Sequence, residues 1–104
     1  MRILRDKFFD CMPEGQKATI KKVNEAEFLL QARAEVSNLL AEAVSTNSAE
    51  KFADLLEIIN SCCNIVNIDW YEVTKIKSSK RWEEGSHEKR LVSCSFEATQ
   101  VNSL

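Results

Sequence analysis

The chain has one proline, two glycines, one histidine and four cysteines in 104 residues, and each scarcity excludes something. Few backbone breakers argue against a turn-rich β fold and favour long helices. His87 stands alone, and Cys11, Cys62, Cys63 and Cys94 form no C-x-x-C pattern, so a zinc site lacks its ligand set. Adjacent cysteines on one helix diverge by about 100°, so Cys62 and Cys63 are not expected to pair with each other. Reduced thiols acting as small apolar groups fit a cytoplasmic protein, the expected location. No apolar run approaches the roughly 20 residues of a membrane span and no signal peptide is evident, so no membrane partner is expected. A net charge of −2 offers no field for a polyanion, and no nucleic-acid partner is expected.

What is present is helical periodicity. Residues 2–12 mix apolar and charged types until Met12-Pro13-Glu14-Gly15 breaks the chain, and residues 17–23 read as a connector. Asn24 then begins a capping-box-like Asn24-Glu25-Ala26-Glu27. Phe28, Leu29, Ala32, Val36, Leu39, Leu40 and Ala43 follow at three-to-four spacing, which predicts a helix over 25–44. A polar loop follows, in which Asn47 or Ser48 caps a second helix over 48–66. The short loop makes the pair an antiparallel hairpin. Phe52, Leu55, Leu56, Ile58, Ile59, Cys62, Cys63 and Val66 spread over more than half of the second helix, which predicts contacts both within the chain and across a dimer. Asp69, with Glu72 three residues on, opens a third helix that Gly85-Ser86 ends. Residues 90–96 read as a short extended segment and 97–104 as a polar, frayed tail, so a single domain spans 1–96.

Two sets of charged side chains carry the chemistry. The first lies on the hairpin, where carboxylates at i and i+3 or i+4 share a helix face, as Asp54 and Glu57 do one turn apart. The second lies in and after the third helix: Lys77, Lys80, Arg81, Lys89 and Arg90, with Lys75 nearby. Lys77, Lys80 and Arg81 share a helix face, and Arg and Lys pair with phosphate oxygens bidentately and as point charges. Trp82 lies beside that face as a stacking candidate, while Trp70 reads as a packing residue. The plain alternative for every one of these charges is a solvated helix surface.

Residues 31–40 and 50–59 together resemble the two metal-binding helices of the MazG-like, phosphoribosyl-ATP pyrophosphohydrolase-like all-α nucleotide pyrophosphohydrolases. That family writes its site as E-E-x-x-E, a spacer, then E-x-x-D; the matching positions are Ala34, Glu35, Asn38, Lys51 and Asp54. Leu4-Arg5-Asp6-Lys7 resembles the L-V-R-D-K opening of the same family, and residues 77–91 resemble its Lys/Arg-rich third helix and Gly-containing loop. The likeness covers roughly residues 3–92. It implies a MazG-like hairpin plus third helix, completed by dimerisation into a dimer or dimer of dimers. It also implies Mg²⁺ held between the paired helices, and cleavage of a nucleoside triphosphate between its α and β phosphates.

The substitutions alter that expectation. Ala34 supplies no ligand, Asn38 gives one neutral oxygen, and Lys51 brings a positive charge where a carboxylate belongs. Glu35 and Asp54 are left as a weak Mg²⁺ pair, with Asn38 and Glu57 as further candidates. Three readings follow. In the first the chain binds a nucleotide or nucleotide-derived signal, with Lys51 and the basic set replacing the metal's charge and hydrolysis reduced or absent. In the second it is a Mg²⁺-dependent pyrophosphohydrolase. In the third it is a helical dimer that docks another protein. The first is favoured, because a lysine neutralises phosphate without a cation.

Overall fold

The computed structural model describes residues 2–94; residues 95–104, including the expected tail and the end of the expected extended segment, lie outside the described residues. Among the described residues five helices follow one another: α1 Asp6–Asp10, α2 Glu14–Lys17, α3 Glu25–Thr46, α4 Ala49–Ile65 and α5 Trp70–Glu84. No strand occurs among the described residues, so their fold class is all-α. Packing divides the chain into two compact units, Met1–Glu72 and Val73–Leu104, with the boundary inside α5.

In the first unit, the signals that start the two long helices act as their chemistry dictates. The Asn24 side-chain oxygen accepts from the Glu27 N–H at 2.8 Å, and Ser48 accepts from the Lys51 N–H at 3.1 Å. Each bond satisfies one of the N–H groups a helix start leaves without a partner. Both helices then end on asparagine in the left-handed region, Asn47 at φ 52° after α3 and Asn67 at φ 62° after α4. Glycine usually fills such positions, and asparagine is the side chain that tolerates them best. After each, a backbone N–H folds back to a helix carbonyl: Ser48 to Ala43 at 3.1 Å and Ile68 to Cys63 at 2.8 Å. Asn47 thus belongs to the end of α3, which runs two residues past the expected Val44, and Ser48 alone caps α4.

The hairpin packs along one seam. Ala32, Leu39, Leu55 and Ile58 are its buried centre, and Ile3, Phe28, Val36, Ile59 and Cys62 close around it. Ala43 is fully buried near the loop. Ile3 ties the N-terminal segment to this seam, which fixes where its neighbours Arg2 and Arg5 can reach. The core is small. Leu30, Leu40, Val44, Phe52 and Leu56 remain exposed on the two long helices, as does Val66 just after α4. The helical turns α1 and α2 fall in stretches read from sequence as mixed and as a break. Neither buries a residue, and Lys17 sits 5.1 Å over the Phe9 ring.

The segment α5 begins at Trp70, and the Asp69 carboxylate accepts from the Tyr71 N–H at 3.1 Å, one residue short of the expected bond to Glu72. No residue of α5 is buried. Gly85, at φ 90°, ends it and returns its N–H to the Arg81 carbonyl at 3.0 Å. The short extended segment expected from residue 90 is corrected over its described part: Arg90 is left-handed at φ 54°, and residues 91–93 form no strand. Among the described residues there is no strand with which this segment could pair. All four cysteines are free thiols.

Candidate functional site

Glu35 lies in the α3 stripe that the periodicity assigns to the core, between Ala32 and Leu39, and it is only 4% exposed. A carboxylate in such surroundings requires a partner, because burial removes the water that would stabilise its charge. The partner is Arg2, whose Nε donates to Glu35 Oε2 at 3.0 Å from the other end of the sequence. In the second turn of α4, Asp54 Oδ1 accepts from Arg5 Nη2 at 2.9 Å. The hydrogen bond to Asp54, reinforced by the charges of Asp54 and Glu57, holds the Arg5 guanidinium above its ordinary value.

These groups border one cavity of about 710 Å³ between the N-terminal segment and the hairpin. Glu35, Asp54 and Glu57 line it, and so do Arg2, Arg5 and Lys7. Glu35, Asp54 and Glu57 thus border the same cavity. Asn38 is exposed and does not line the cavity. Lys51 is drawn elsewhere: its Nζ lies 3.2 Å from Glu42 Oε1, an ion pair across the hairpin.

The donor set does not fit a resident Mg²⁺. Divalent cations of this kind take several oxygens with net negative charge. Here each of the two best-placed carboxylates already holds a guanidinium, and among the described residues no three His, Cys, Asp or Glu side chains converge to hold a metal. The arginines that meet these carboxylates were not among the residues singled out from sequence. Arg5 stood in the opening motif, but nothing in local spacing ties residue 2 to residue 35 or residue 5 to residue 54.

The basic set belongs to the second unit. Lys80, Lys89 and Arg90 line a cavity of about 720 Å³ built on the turn after α5, together with Glu84, Glu88 and His87. Arg81 does not line it and sits 3.8 Å from Glu88. Lys77 and Trp82 also lie outside its lining, and Trp82 is 89% exposed. Two carboxylates, Glu84 and Glu88, share that lining with the three cations.

No family model matches the chain, and no curated protein and no solved structure matches it.

Proposed function

We propose that the protein binds a nucleotide or nucleotide-derived signal without hydrolysing it, on a MazG-like helical hairpin in which arginine has replaced the metal. The observation that carries this reading is the pair of contacts Arg2–Glu35 and Arg5–Asp54. Metal-assisted hydrolysis requires a cation that both carries the phosphates and generates the attacking water. A guanidinium supplies charge and directional N–H donors to an anion, but it activates no water. A site whose carboxylates are neutralised by arginine therefore keeps the means to hold phosphate and gives up the means to cut it. Lys77, Lys80, Arg81, Lys89 and Arg90, with Trp82, remain the candidate contacts on the second unit. Lys51 takes part only if a ligand draws it away from Glu42.

A nucleotide panel read by thermal shift, with and without Mg²⁺, tests this. A ligand at 100 times its dissociation constant stabilises the folded chain by about 2.7 kcal/mol, which such an assay resolves readily. The expected result is stabilisation by at least one nucleotide, equal with and without Mg²⁺, and no release of pyrophosphate. Mg²⁺-dependent pyrophosphate release overturns the reading in favour of the enzyme. Replacing Arg2 and Arg5 together by alanine should raise Mg²⁺ affinity, because Glu35 and Asp54 are then left without counter-ions.

One observation favours the docking reading as a second choice. Leu40, Val44, Phe52 and Leu56 are exposed on the hairpin although the chain has little other core. A second copy completing the bundle would cover them, and the protein would then act as a dimer, whether or not a nucleotide binds.

A further inference from the structure

A second cavity, of about 660 Å³, lies behind the N-terminal segment in the first unit and shares Arg2 and Arg5 with the acidic one. Its character differs. Ile3, Leu4, Phe9, Ile20, Val23 and Phe28 give it an apolar wall, two of them aromatic. Four cations, Arg2, Arg5, Lys21 and Lys22, face two carboxylates, Asp6 and Asp10, around the same space. The cations are not all committed. Arg2 and Arg5 each use one N–H in their contacts with Glu35 and Asp54, and a guanidinium has five. Lys21 lies 3.8 Å from Glu27, at the outer limit of an ion pair, and Lys22 has no ion-pair partner among the described residues. The volume falls within the roughly 300–1,000 Å³ of ordinary small-molecule sites.

We propose that this cavity binds a small anion with a flat apolar body, an aryl phosphate being the simplest case, with the ring against the Phe9 and Phe28 wall and the anion on Lys22 and the open side of Arg5. The choice of phosphate as the anion rests on the function proposed above; the ring site does not. Charge and apolar surface are both needed. An apolar ring alone gains burial but leaves the cations without a counter-charge, and a bare phosphate gains charge but leaves the apolar wall wet. The exposed Trp82 on the other unit is then not the ring's partner. Because Arg2 and Arg5 serve both cavities, an anion in this one also shares the guanidinium groups that hold Glu35 and Asp54.

Titration of the full-length ¹⁵N-labelled chain with phenyl phosphate, phenol, inorganic phosphate and a nucleoside monophosphate tests the site by amide shifts. Phenyl phosphate should move the amides of Ile3, Ile20, Val23 and Phe28. Phenol and inorganic phosphate should each bind at least about tenfold more weakly, the loss expected for one charge-assisted contact or one buried ring. Lys22→Glu, a surface change that leaves the seam untouched, should weaken phenyl phosphate by about tenfold. Ile20→Glu should abolish binding while the spectrum stays dispersed.

Phenyl phosphate binding without nucleotide binding anywhere keeps this site and sinks the nucleotide reading. Nucleotide shifts confined to residues 77–90, with no phenyl phosphate shifts at Ile3, Ile20, Val23 and Phe28, overturn this site and leave nucleotide binding standing. Absence of phenyl phosphate shifts at millimolar ligand, or indifference to Lys22→Glu, also overturns it.

Discussion

On one face of the α3–α4 hairpin, Glu35 and Asp54 are each met by an arginine, while on another face Leu40, Val44, Phe52 and Leu56 stay open to solvent. At about 100° per residue, Asp54 and Phe52 lie on opposite sides of the buried stripe of α4, and Glu35 and Leu40 on opposite sides of that of α3. The N-terminal segment covers only the acidic side. Ile3 packs on the seam there and places a cation on each carboxylate. A buried charge cannot be left without a partner at tolerable cost, whereas exposed leucine costs a monomer little. The comparison therefore teaches where the chain provides for itself and where it leaves surface for something else.

The largest effect should come from the seam that both faces share. Leu39→Ala, at a 2% exposed position, should cost about 2–5 kcal/mol by denaturant titration, since the methyl groups removed leave a cavity. A loss under about 1 kcal/mol would mean that the seam is not the core.

Next is the acidic face. Arg2→Ala should cost about 1–3 kcal/mol, because Glu35 stays buried after its partner is gone. Arg5→Ala should change stability far less, since Arg5 and Asp54 meet in solvent. Equal losses at the two positions would erase the distinction drawn between a seam carboxylate and a surface one.

The helix starts should give intermediate and matching effects. Asn24→Ala and Ser48→Ala should each cost about 1 kcal/mol, measured as a shift in melting temperature, by removing the side-chain acceptors to Glu27 and Lys51. A cap that proves silent would show that its helix start is held by packing.

On the open face, Leu56→Ala should alter unfolding of the dilute monomer by less than about 0.5 kcal/mol. Leu56 is 53% exposed there. Leu56→Asp should instead act on association, removing any dimer detected by sedimentation at micromolar concentration. If the native chain shows no dimer at those concentrations, the open face does not serve a second copy.

The smallest effect is at Cys62. Burial, and then the neighbouring Cys63, pushes its thiol up. The native state therefore holds this proton more tightly than the unfolded chain does. The resulting stability is complete below the ordinary cysteine value of about 8.5 and is lost as pH rises through the raised native one. Cys62→Ala should flatten the alkaline fall in melting temperature slightly, and Cys62 should alkylate more slowly than the exposed Cys11.

Much of the hairpin was legible in the sequence because its determinants are local. The Asn24 cap, the Ser48 cap, the three-to-four apolar spacing and the Gly85 stop each act within a turn or two of where they are written. The short turns α1 and α2 were missed for the same reason in reverse: they are too brief to show a period. The candidate site was legible only in part. The resemblance, not spacing, paired Glu35 with Asp54, and both line the cavity. The same resemblance offered Lys51 as a phosphate contact, and the structure pairs it with Glu42 across the hairpin.

By itself, the sequence determined the all-α character of the described residues and the extent of the two long helices. Tertiary structure alone decided that Glu35 and Asp54 are neutralised from within. The contacts Arg2–Glu35 and Arg5–Asp54 span 33 and 49 residues. No periodicity encodes such a distance. It arises only when Ile3 finds the seam and carries its charged neighbours to the hairpin's acidic face.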